Sequence, residues 1–160
     1  MEHQADVIIV GTGVAGLFCA LQLPKELHIL MITKDKAEHS DSYLAQGGIS
    51  TLRTPEDYES YFEDTMRAGH YKNNPDSVDV MIRSSPQIIQ NLIDFGVEFE
   101  RTSDGLSYTR EGAHSTFRIL HHKDITGYEI TSKLMAQVQQ RPYIHIEEYT
   151  SMVDIIEQNH

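Results

Sequence analysis

Three glycines near the N-terminus have the spacing Gly11-x-Gly13-x-x-Gly16. Between a strand and a helix, this spacing binds the pyrophosphate of a dinucleotide: the first glycine permits a tight turn, the second admits the phosphates to the backbone, and the third packs the helix on the strand. The helix then directs its free N–H groups and partial positive charge at the phosphates. A glycine-rich turn that binds no ligand can have the same glycine spacing. The flanking elements therefore decide between a dinucleotide-binding turn and a turn without a ligand.

The flanking elements fit the dinucleotide interpretation. Residues 7–10 are a β-branched run without polar alternation, which predicts a strand buried on both faces of a parallel sheet. Residues 14–23 have apolar side chains at helical spacing before Pro24, and residues 27–32 predict a second strand. Strand, helix and strand at this length predict a right-handed crossover. We therefore predict an α/β fold, a Rossmann-like domain with a doubly wound, mainly parallel sheet.

The end of the second predicted strand lacks the acidic residue that usually accepts hydrogen bonds from a ribose. Thr33 and Lys34 stand there instead. A carboxylate would repel the 2′-phosphate of NADP, so its absence removes one argument against NADP without establishing it. The Thr33 hydroxyl can bond a ribose hydroxyl, and Lys34 can reach a phosphate or an adenosine oxygen. The alternative for Lys34 is a solvated loop cation.

The remaining elements follow from capping and turn signals. Residues 33–54 are expected to form a long irregular loop. Helices are predicted to start at Pro55, Pro75 and Pro86, the first ending at Gly69 and the last at Gly96.

Further along the chain, residues 97–109 predict short strands around a turn at 103–105. Thr126 and Glu129 predict a capping box for a helix through about residue 139. Two further strands are predicted at 143–149 and 152–156.

Composition excludes several classes of protein. The formal net charge of −11 argues against nucleic-acid binding, because no basic cluster is present. The single cysteine, Cys19, cannot form an internal disulfide, and this favours a protein of the cell interior. Its side chain is expected to be buried in the first helix. The uncharged run 7–24 contains three glycines and follows no basic residue, which argues against a membrane span or a leader. His121 and His122 are adjacent rather than spaced as zinc ligands, so no metal is expected.

A second glycine-bearing segment, S-D-S-Y-L-A-Q-G-G-I at 40–49, is more discriminating. Adjacent Gly47 and Gly48 allow a ligand to approach the backbone closely, while Ser42 and Gln46 supply hydrogen-bonding groups. A flavin ring needs such donors around its N5 side and its pyrimidine edge. The segment therefore favours a flavin among the dinucleotides.

Four blocks together resemble a known family. They are D-V-I-I-V-G-T-G-V-A-G-L at 6–17, the segment at 40–49, T-R-E-G-A-H-S at 109–115 and R-I-L-H-H-K-D-I-T-G at 118–127. In this order they resemble the flavoproteins that comprise the succinate dehydrogenase and fumarate reductase flavoprotein subunits together with L-aspartate oxidase. The T-R-E-G-x-H-S block makes the oxidase branch the most similar.

The resemblance implies an FAD cofactor held without a covalent bond. Succinate dehydrogenases attach FAD to a histidine five residues before the glutamine of A-Q-G-G, and here Asp41 holds that place. The cofactor-binding residues implied or predicted are Gly11, Thr12, Gly13, Val14, Gly16, Thr33, Lys34, Asp41, Ser42, Tyr43, Leu44, Ala45, Gln46, Gly47 and Gly48.

The resemblance also implies the substrate. Glu111 would orient the amino group of L-aspartate, which would be oxidised to iminosuccinate with oxygen or fumarate as acceptor, the first step toward quinolinate and NAD. A cytoplasmic location and a hand-over to quinolinate synthase would follow. From the residues alone, Glu111 is an exposed loop acid paired with Arg110. The alternatives are a soluble fumarate reductase or succinate dehydrogenase-type flavoprotein, and a flavin-binding module without catalysis.

Two substrate carboxylates require cations or strong donors. Arg110, His114, Ser115 and Arg118 are near Glu111 in sequence, but no spacing compels their assignment. In the family such groups come mainly from later segments. We therefore expect residues 1–160 to be the N-terminal part of an FAD-binding domain, without the capping and C-terminal helical domains, and to be inactive toward aspartate alone.

Overall fold

The computed structural model of the chain describes residues 4–157. In chain order its elements are β1 (Val7–Val10), α1 (Val14–Gln22), β2 (Ile29–Ile32), α2 (Asp41–Leu44), β3 (Ile49–Ser50), a 3₁₀ turn (Pro55–Asp57), α3 (Tyr58–Ala68), α4 (Pro75–Asp94), β4 (Arg101–Thr102), β5 (Gly105–Leu106), β6 (Ile119–Leu120), α5 (Thr126–Gln139) and β7 (Ile144–Glu147). The described part of the chain divides into two compact units, one formed by residues 4–45 and 130–157, the other by residues 46–129.

The first unit is built on a parallel sheet with the strand order β1-β2-β7. Val7 pairs with Ile29, which in turn pairs with Ile144. All four residues of β2 are buried, and this strand is the central one of the three. Burial of successive residues means that both faces of the sheet are covered at this strand. The predicted strand, helix and strand crossover and the parallel sheet are thereby confirmed.

The prediction that β1 is buried on both faces is wrong. Its residues alternate between half-buried and exposed, with Ile8 60% and Val10 54% exposed. In the described part of the chain, β1 lies at the edge of the sheet. The burial on both faces that was predicted for β1 is found instead at β2. A β-branched run thus predicts a strand but not its position in the sheet.

Helix α1 packs against β1 through the third glycine of the motif, as predicted. A Cβ at Gly16 would overlap the carbonyl oxygen of Gly11. Leu17, Ala20 and Leu21 form the buried face of the helix. Cys19 lies on the exposed face, so the expectation that it is buried is wrong.

In the second unit, α3 packs on α4. Their shared core contains Tyr61, Met66, Val78 and Ile82, with Leu52, Tyr58 and Phe62 packed around it. Gly69 caps the end of α3, and the Asn74 side chain accepts a hydrogen bond from the Ser77 amide (3.1 Å) at the start of α4. Both boundaries agree with the sequence prediction.

The predicted helix break at Pro86 is wrong, because α4 continues through it. Proline has no N–H to donate to the carbonyl of Ile82 four residues earlier. The hydroxyl of Ser85 donates to that oxygen instead, at 2.7 Å. The same hydroxyl accepts from the Leu52 amide at 2.9 Å. Ser85 therefore lets a continuous helix tolerate the proline.

Two other predictions need correction, and the short strands predicted around the turn at 103–105 are confirmed. The loop expected at 33–54 contains α2 and β3. Within 97–109, the two short strands β4 and β5 flank the predicted turn, and the other residues have no regular structure. Residues 152–156 form no strand and are exposed, whereas the strand predicted at 143–149 is confirmed as β7.

Helix α5 has the predicted bounds. The side chains of the two residues predicted to form its capping box, Thr126 and Glu129, also contact the preceding segment. The Thr126 hydroxyl accepts from the His122 amide at 3.0 Å. The Glu129 carboxylate accepts from the Glu98 amide at 2.9 Å. Both side chains therefore fasten the preceding segment to the helix.

Helices that are long and apolar enough to span a membrane are absent from residues 4–157.

Candidate functional site

The first unit has a cavity of about 420 Å³ at the carboxyl ends of β1 and β2. Ligands of open parallel sheets bind at this edge, where adjacent loops diverge. Of the residues predicted to bind the cofactor, the cavity is lined by Gly11, Thr12, Gly13, Thr33, Lys34 and Asp41. Its remaining lining residues are Val10, Ile32, His39, Ser40, Thr150, Ser151 and Met152.

The glycine turn has the geometry that a pyrophosphate requires. Gly11 has a φ of +103°, a backbone conformation that residues with a side chain rarely adopt. Its N–H donates to the Ile32 carbonyl at 2.8 Å. The N-cap residue of α1 is Gly13, which makes no side-chain cap. Amides of the first turn other than that of Val14 are therefore left for an external acceptor such as a phosphate oxygen.

The loop after β2 is fastened to this turn by side chains. The buried Thr12 hydroxyl donates to the Ala37 carbonyl at 2.8 Å. Because this hydroxyl is already bonded, we expect Thr12 to contact a ligand in the cavity through its backbone. Ser42 accepts from the Val14 amide at 3.1 Å. The Val14 amide, which was expected to line the pyrophosphate, thus already has a partner. Val14 and Gly16 lie outside the cavity lining.

Thr33 and Lys34 both reach the cavity, but in different ways. Thr33 is buried, and its amide donates to the Glu147 carbonyl at 2.9 Å. Lys34 is exposed, so its ammonium remains available to an anion. The Thr150 amide donates to the Thr33 carbonyl at 2.8 Å, which brings residues 150–152 to the cavity. No local sequence signal predicts these residues at the cavity, because they follow β7, whose pairing with β2 is long-range.

The other predicted residues of the first unit lie in or beside α2. Tyr43 and Leu44 belong to this short helix, which the Ser40 side chain caps by accepting from the Tyr43 amide at 3.3 Å. Ala45 follows it, and none of these three residues lines the cavity.

In the second unit, Gln46, Gly47 and Gly48 are exposed just before β3. The two glycines differ in their surroundings. A Cβ at Gly48 would overlap the Ile119 side chain and the Leu120 carbonyl oxygen of β6, whereas a Cβ at Gly47 would first meet Glu111 Oε2, at 3.6 Å. The structure thus places the Glu111 carboxylate beside the segment predicted to contact the flavin.

Glu111 lies on an exposed turn that is closed by pairing between Thr109 and Ile119. Asp64 of α3 anchors this turn, since its Oδ2 accepts from the Ser115 amide (2.6 Å) and the Ser115 hydroxyl (2.7 Å). Arg67 donates to the Ala113 carbonyl at 3.2 Å. The backbone that carries Glu111 is therefore held by a helix.

Arg118 lies at the centre of this anchor and is fully buried. Its Nε and Nη2 donate to the two oxygens of Asp57 at 3.1 and 2.8 Å, and Nη2 also donates to Ser60 at 2.6 Å. Its Nη1 donates to Asp64 at 2.6 Å and faces His114 Nδ1 at 3.1 Å. All five guanidinium N–H groups thus have partners. Arg118 is not free to bind a substrate carboxylate, and the sequence did not reveal this buried role.

The ion network lowers the pKa of Asp64. Burial alone would raise this pKa, but hydrogen bonds from the Ser115 amide, Arg118 and the Ser115 hydroxyl outweigh burial and lower it to about 2 from an ordinary 3.8. Burial likewise opposes a lowered pKa of Asp57, where Arg118 and Ser60 donate. Both carboxylates are therefore ionised at neutral pH.

This shift predicts an acid-sensitive contribution to stability. A lowered folded-state pKa stabilises the fold above pH 4, by about 2 kcal/mol for Asp64, and that contribution disappears as the pH falls toward 2. Denaturant unfolding between pH 7 and pH 2 measures it. Asp64→Asn should lower stability at pH 7 and flatten the acid dependence, whereas Asp76→Asn, at an exposed position of α4, should not. An unchanged acid dependence in Asp64→Asn would contradict the assignment.

Comparison with known proteins now identifies the family. The family described as FAD binding domain matches residues 6–160. The chain belongs to this FAD binding domain family. FAD is therefore its cofactor. The predicted resemblance and the Rossmann-like α/β fold are both confirmed.

Curated relatives at substantial identity are L-aspartate oxidases. That of Clostridium perfringens is 47% identical over 155 residues, which are 97% of this chain and 35% of the relative. That of Clostridium acetobutylicum is 46% identical over 99% of this chain and 37% of the relative. A chloroplastic L-aspartate oxidase of Arabidopsis thaliana is 38% identical over 94% of this chain and 24% of the relative. The chain spans about a third of the length of the two clostridial relatives.

Solved structures show the same fold. A mutant E. coli quinol fumarate reductase superposes with a TM-score of 0.86 at 29% identity, covering 93% of this chain and 26% of that chain. The Mycobacterium smegmatis Sdh1 complex in the apo form gives 0.80 at 27% identity, covering 93% and 28%.

The residues present fit the expected cofactor. The positive φ of Gly11, the uncapped start of α1 and the exposed Lys34 provide donors and positive charge for a pyrophosphate at one cavity. Among residues 4–157, no group of three His, Cys, Asp or Glu side chains is placed to hold a metal ion.

Proposed function

We propose that the chain is the N-terminal part of the FAD-binding domain of an L-aspartate oxidase, with the capping and C-terminal helical domains lying outside residues 1–160. The names of the curated relatives support this proposal. The observation that carries it is the placement of the Glu111 carboxylate 3.6 Å from the Cβ position of Gly47, on a turn held by buried ion pairs.

The proposed reaction converts L-aspartate to iminosuccinate. A C–H bond at Cα and an N–H bond of the amine break, a C=N bond forms, and two electrons and two protons leave the substrate. FAD, when bound, would accept the two electrons. The oxidised cofactor would be regenerated either by dioxygen, which is reduced to hydrogen peroxide, or by fumarate, which is reduced to succinate. The protein must position the substrate and provide the electrostatics.

The proposed cofactor contacts divide by element. The backbone of Gly11, Thr12 and Gly13 and the start of α1 would hold the pyrophosphate, Thr33 and Lys34 the adenosine side, and residues 41–48 the flavin. Binding would be non-covalent, because Asp41 stands where the covalently flavinylated relatives have histidine. Val14 and Gly16 would act by holding Ser42 and β1 in place.

Glu111 would select the amino acid substrate. A carboxylate attracts the ammonium of aspartate and would favour aspartate over a dicarboxylate without an amino group. Arg110 is exposed, with its guanidinium 5.6 Å from the ring centroid of Phe117. No ion pair between Arg110 and Glu111 is present in the described part of the chain. Glu111 therefore keeps its charge available to a substrate.

Glu111→Gln tests this role in the complete polypeptide that carries the chain. The loss of one ionic contact to the ammonium should lower kcat/KM for aspartate by roughly 10- to 100-fold. Activity with succinate should not fall. Steady-state assays with both substrates measure the ratio, and Glu59→Gln, at an exposed position of α3, serves as the control. Equal losses for both substrates would contradict the proposal and would favour a fumarate reductase-type flavoprotein.

The remaining assignments follow from this activity. The product would enter quinolinate and NAD synthesis, with hand-over to quinolinate synthase as a proposed partnership. A cytoplasmic location is proposed on the same basis, and the single cysteine is consistent with it.

A further inference from the structure

The His114 side chain joins two parts of the second unit. Its Nδ1 lies 3.1 Å from Arg118 Nη1, and its Nε2 lies 3.2 Å from Ser50 Oγ. The ring also makes an edge contact with Tyr61, with centroids 5.9 Å apart. The imidazole is thus held on both nitrogens and on its edge.

The guanidinium of Arg118 decides which nitrogen of His114 carries the proton. Four of its N–H groups are directed to Asp57, Asp64 and Ser60, and the fifth faces His114 Nδ1. Because a guanidinium can only donate, Nδ1 must accept and cannot carry a proton. Nε2 then carries the proton and donates to the Ser50 hydroxyl. The contacts are therefore consistent only with a neutral, Nε2-protonated His114.

The two ends of this connection carry the residues of the proposed site. Ser50 ends β3, two residues after Gly48. His114 lies in the turn that carries Glu111, and its amide donates to the Glu111 carbonyl at 3.2 Å. One imidazole thus connects the Glu111 turn to the strand that follows the proposed flavin segment, while Arg118 connects it to the buried carboxylates.

We propose that His114, as the neutral Nε2–H tautomer, is the positioning residue that locks the Glu111 turn to β3 and so holds the Glu111 carboxylate for the substrate. The role of Glu111 in this inference rests on the proposed function. The lock itself rests on the contacts of His114 with Arg118 and Ser50.

Protonation of His114 opens the lock, because an imidazolium has no acceptor for Arg118. Burial and then the charge of Arg118 lower the pKa of His114 below 6.5, while Asp64, Asp57 and Glu111 act in the opposite direction. The neutral form therefore persists through neutral pH and is lost in acid. The titratable and charged groups that act on or contact the ring are Asp57, Tyr61, Asp64, Glu111 and Arg118. Arg67 donates to the carbonyl of the neighbouring residue Ala113.

Nitrogen-15 NMR of the histidine-labelled, FAD-loaded complete polypeptide tests the lock directly. We expect the His114 ring at pH 7 to show a protonated Nε2 and an unprotonated Nδ1, and to titrate below pH 6.5. A protonated Nδ1, or a ring charged at pH 7, would overturn the lock. This measurement uses the wild-type protein and does not depend on the fold of any variant.

His114→Asn tests the positioning role. The asparagine Oδ1 can still accept from Arg118, but its amide does not reach Ser50, so the anchor remains while the lock is lost. Because protonation of His114 opens the lock, we expect kcat/KM of the wild-type protein to fall in acid. His114→Asn should lose this acid limb, and its KM for aspartate should rise roughly tenfold with a smaller change in kcat. The unfolding midpoint should change little. His121→Asn, at a half-buried position outside the network, is the matched control.

The outcomes separate this inference from the proposed function. Turnover of aspartate by His114→Asn with the wild-type KM and acid limb would overturn the positioning role and leave the proposed function intact. If the wild-type protein bound FAD but did not oxidise aspartate, the proposed function and the substrate half of the inference would fail together. The tautomer would then decide whether the lock itself exists.

Discussion

Arg118→Leu is expected to lower the free energy of unfolding by about 3–5 kcal/mol, because it leaves the carboxylates of Asp57 and Asp64 in place without their counter-ion. Both carboxylates are largely buried, with side chains 11% and 3% exposed. Because they are shielded from solvent, water cannot replace the stabilisation that the Arg118 guanidinium gives to their charges. Denaturant unfolding of the complete polypeptide at neutral pH measures the difference.

The control is Arg83→Leu, which removes an ion pair of the same length. Arg83 lies 2.8 Å from Asp79, as Arg118 does from Asp57, but its side chain is 63% exposed and that of Asp79 is 38% exposed. Solvent screens this pair, and its removal should cost about 1 kcal/mol or less. Equal losses from the two substitutions would show that Arg118 does not form the anchor that the structure assigns to it.

Gly48→Ala is expected to cost about 1–3 kcal/mol of stability and to weaken FAD binding roughly tenfold. The new methyl group would overlap the Ile119 side chain and the Leu120 carbonyl oxygen. The carbonyl belongs to the backbone of β6, so β3 would have to move away from its partner strand. Since Gly48 lies at the end of the proposed flavin segment, that movement would also displace the flavin contacts.

Gly47→Ala provides the comparison for stability at the neighbouring position. Its methyl group would lie 3.6 Å from Glu111 Oε2, an ordinary van der Waals distance. Unfolding experiments should therefore show little change for Gly47→Ala and a clear loss for Gly48→Ala, while flavin titration measures the affinity of the Gly48 variant. Unchanged stability and FAD affinity in Gly48→Ala would contradict the close packing of β3 on β6.

Local signals predicted much of the fold. The glycine spacing, the capping residue Asn74 and the closing Gly69 act within a few residues of each other, and the structure agrees with each. The prediction at Pro86 was wrong because it considered the missing N–H but not the hydroxyl of Ser85, which replaces it as donor to Ile82. A hydrogen-bonding side chain next to a proline can therefore allow a helix to continue through it.

Long-range packing could not be predicted. The centre of the sheet depends on pairing between Ile29 and Ile144, which are far apart in sequence. The sequence therefore predicted burial on both faces for β1 and did not reveal that β2 is the buried strand. The cavity residues after β7 were missed for the same reason. Arg118 belongs to a recognisable block, but its burial becomes apparent only when α3 brings Asp64 to it.

Anaerobic mixing of L-aspartate with the FAD-loaded complete polypeptide tests whether aspartate reduces the flavin. Loss of the oxidised flavin absorbance on addition of aspartate, without a comparable loss on addition of succinate, is the predicted result. Flavin that stays oxidised in the presence of aspartate, or that is reduced by succinate alone, would contradict the proposal that this chain belongs to an L-aspartate oxidase.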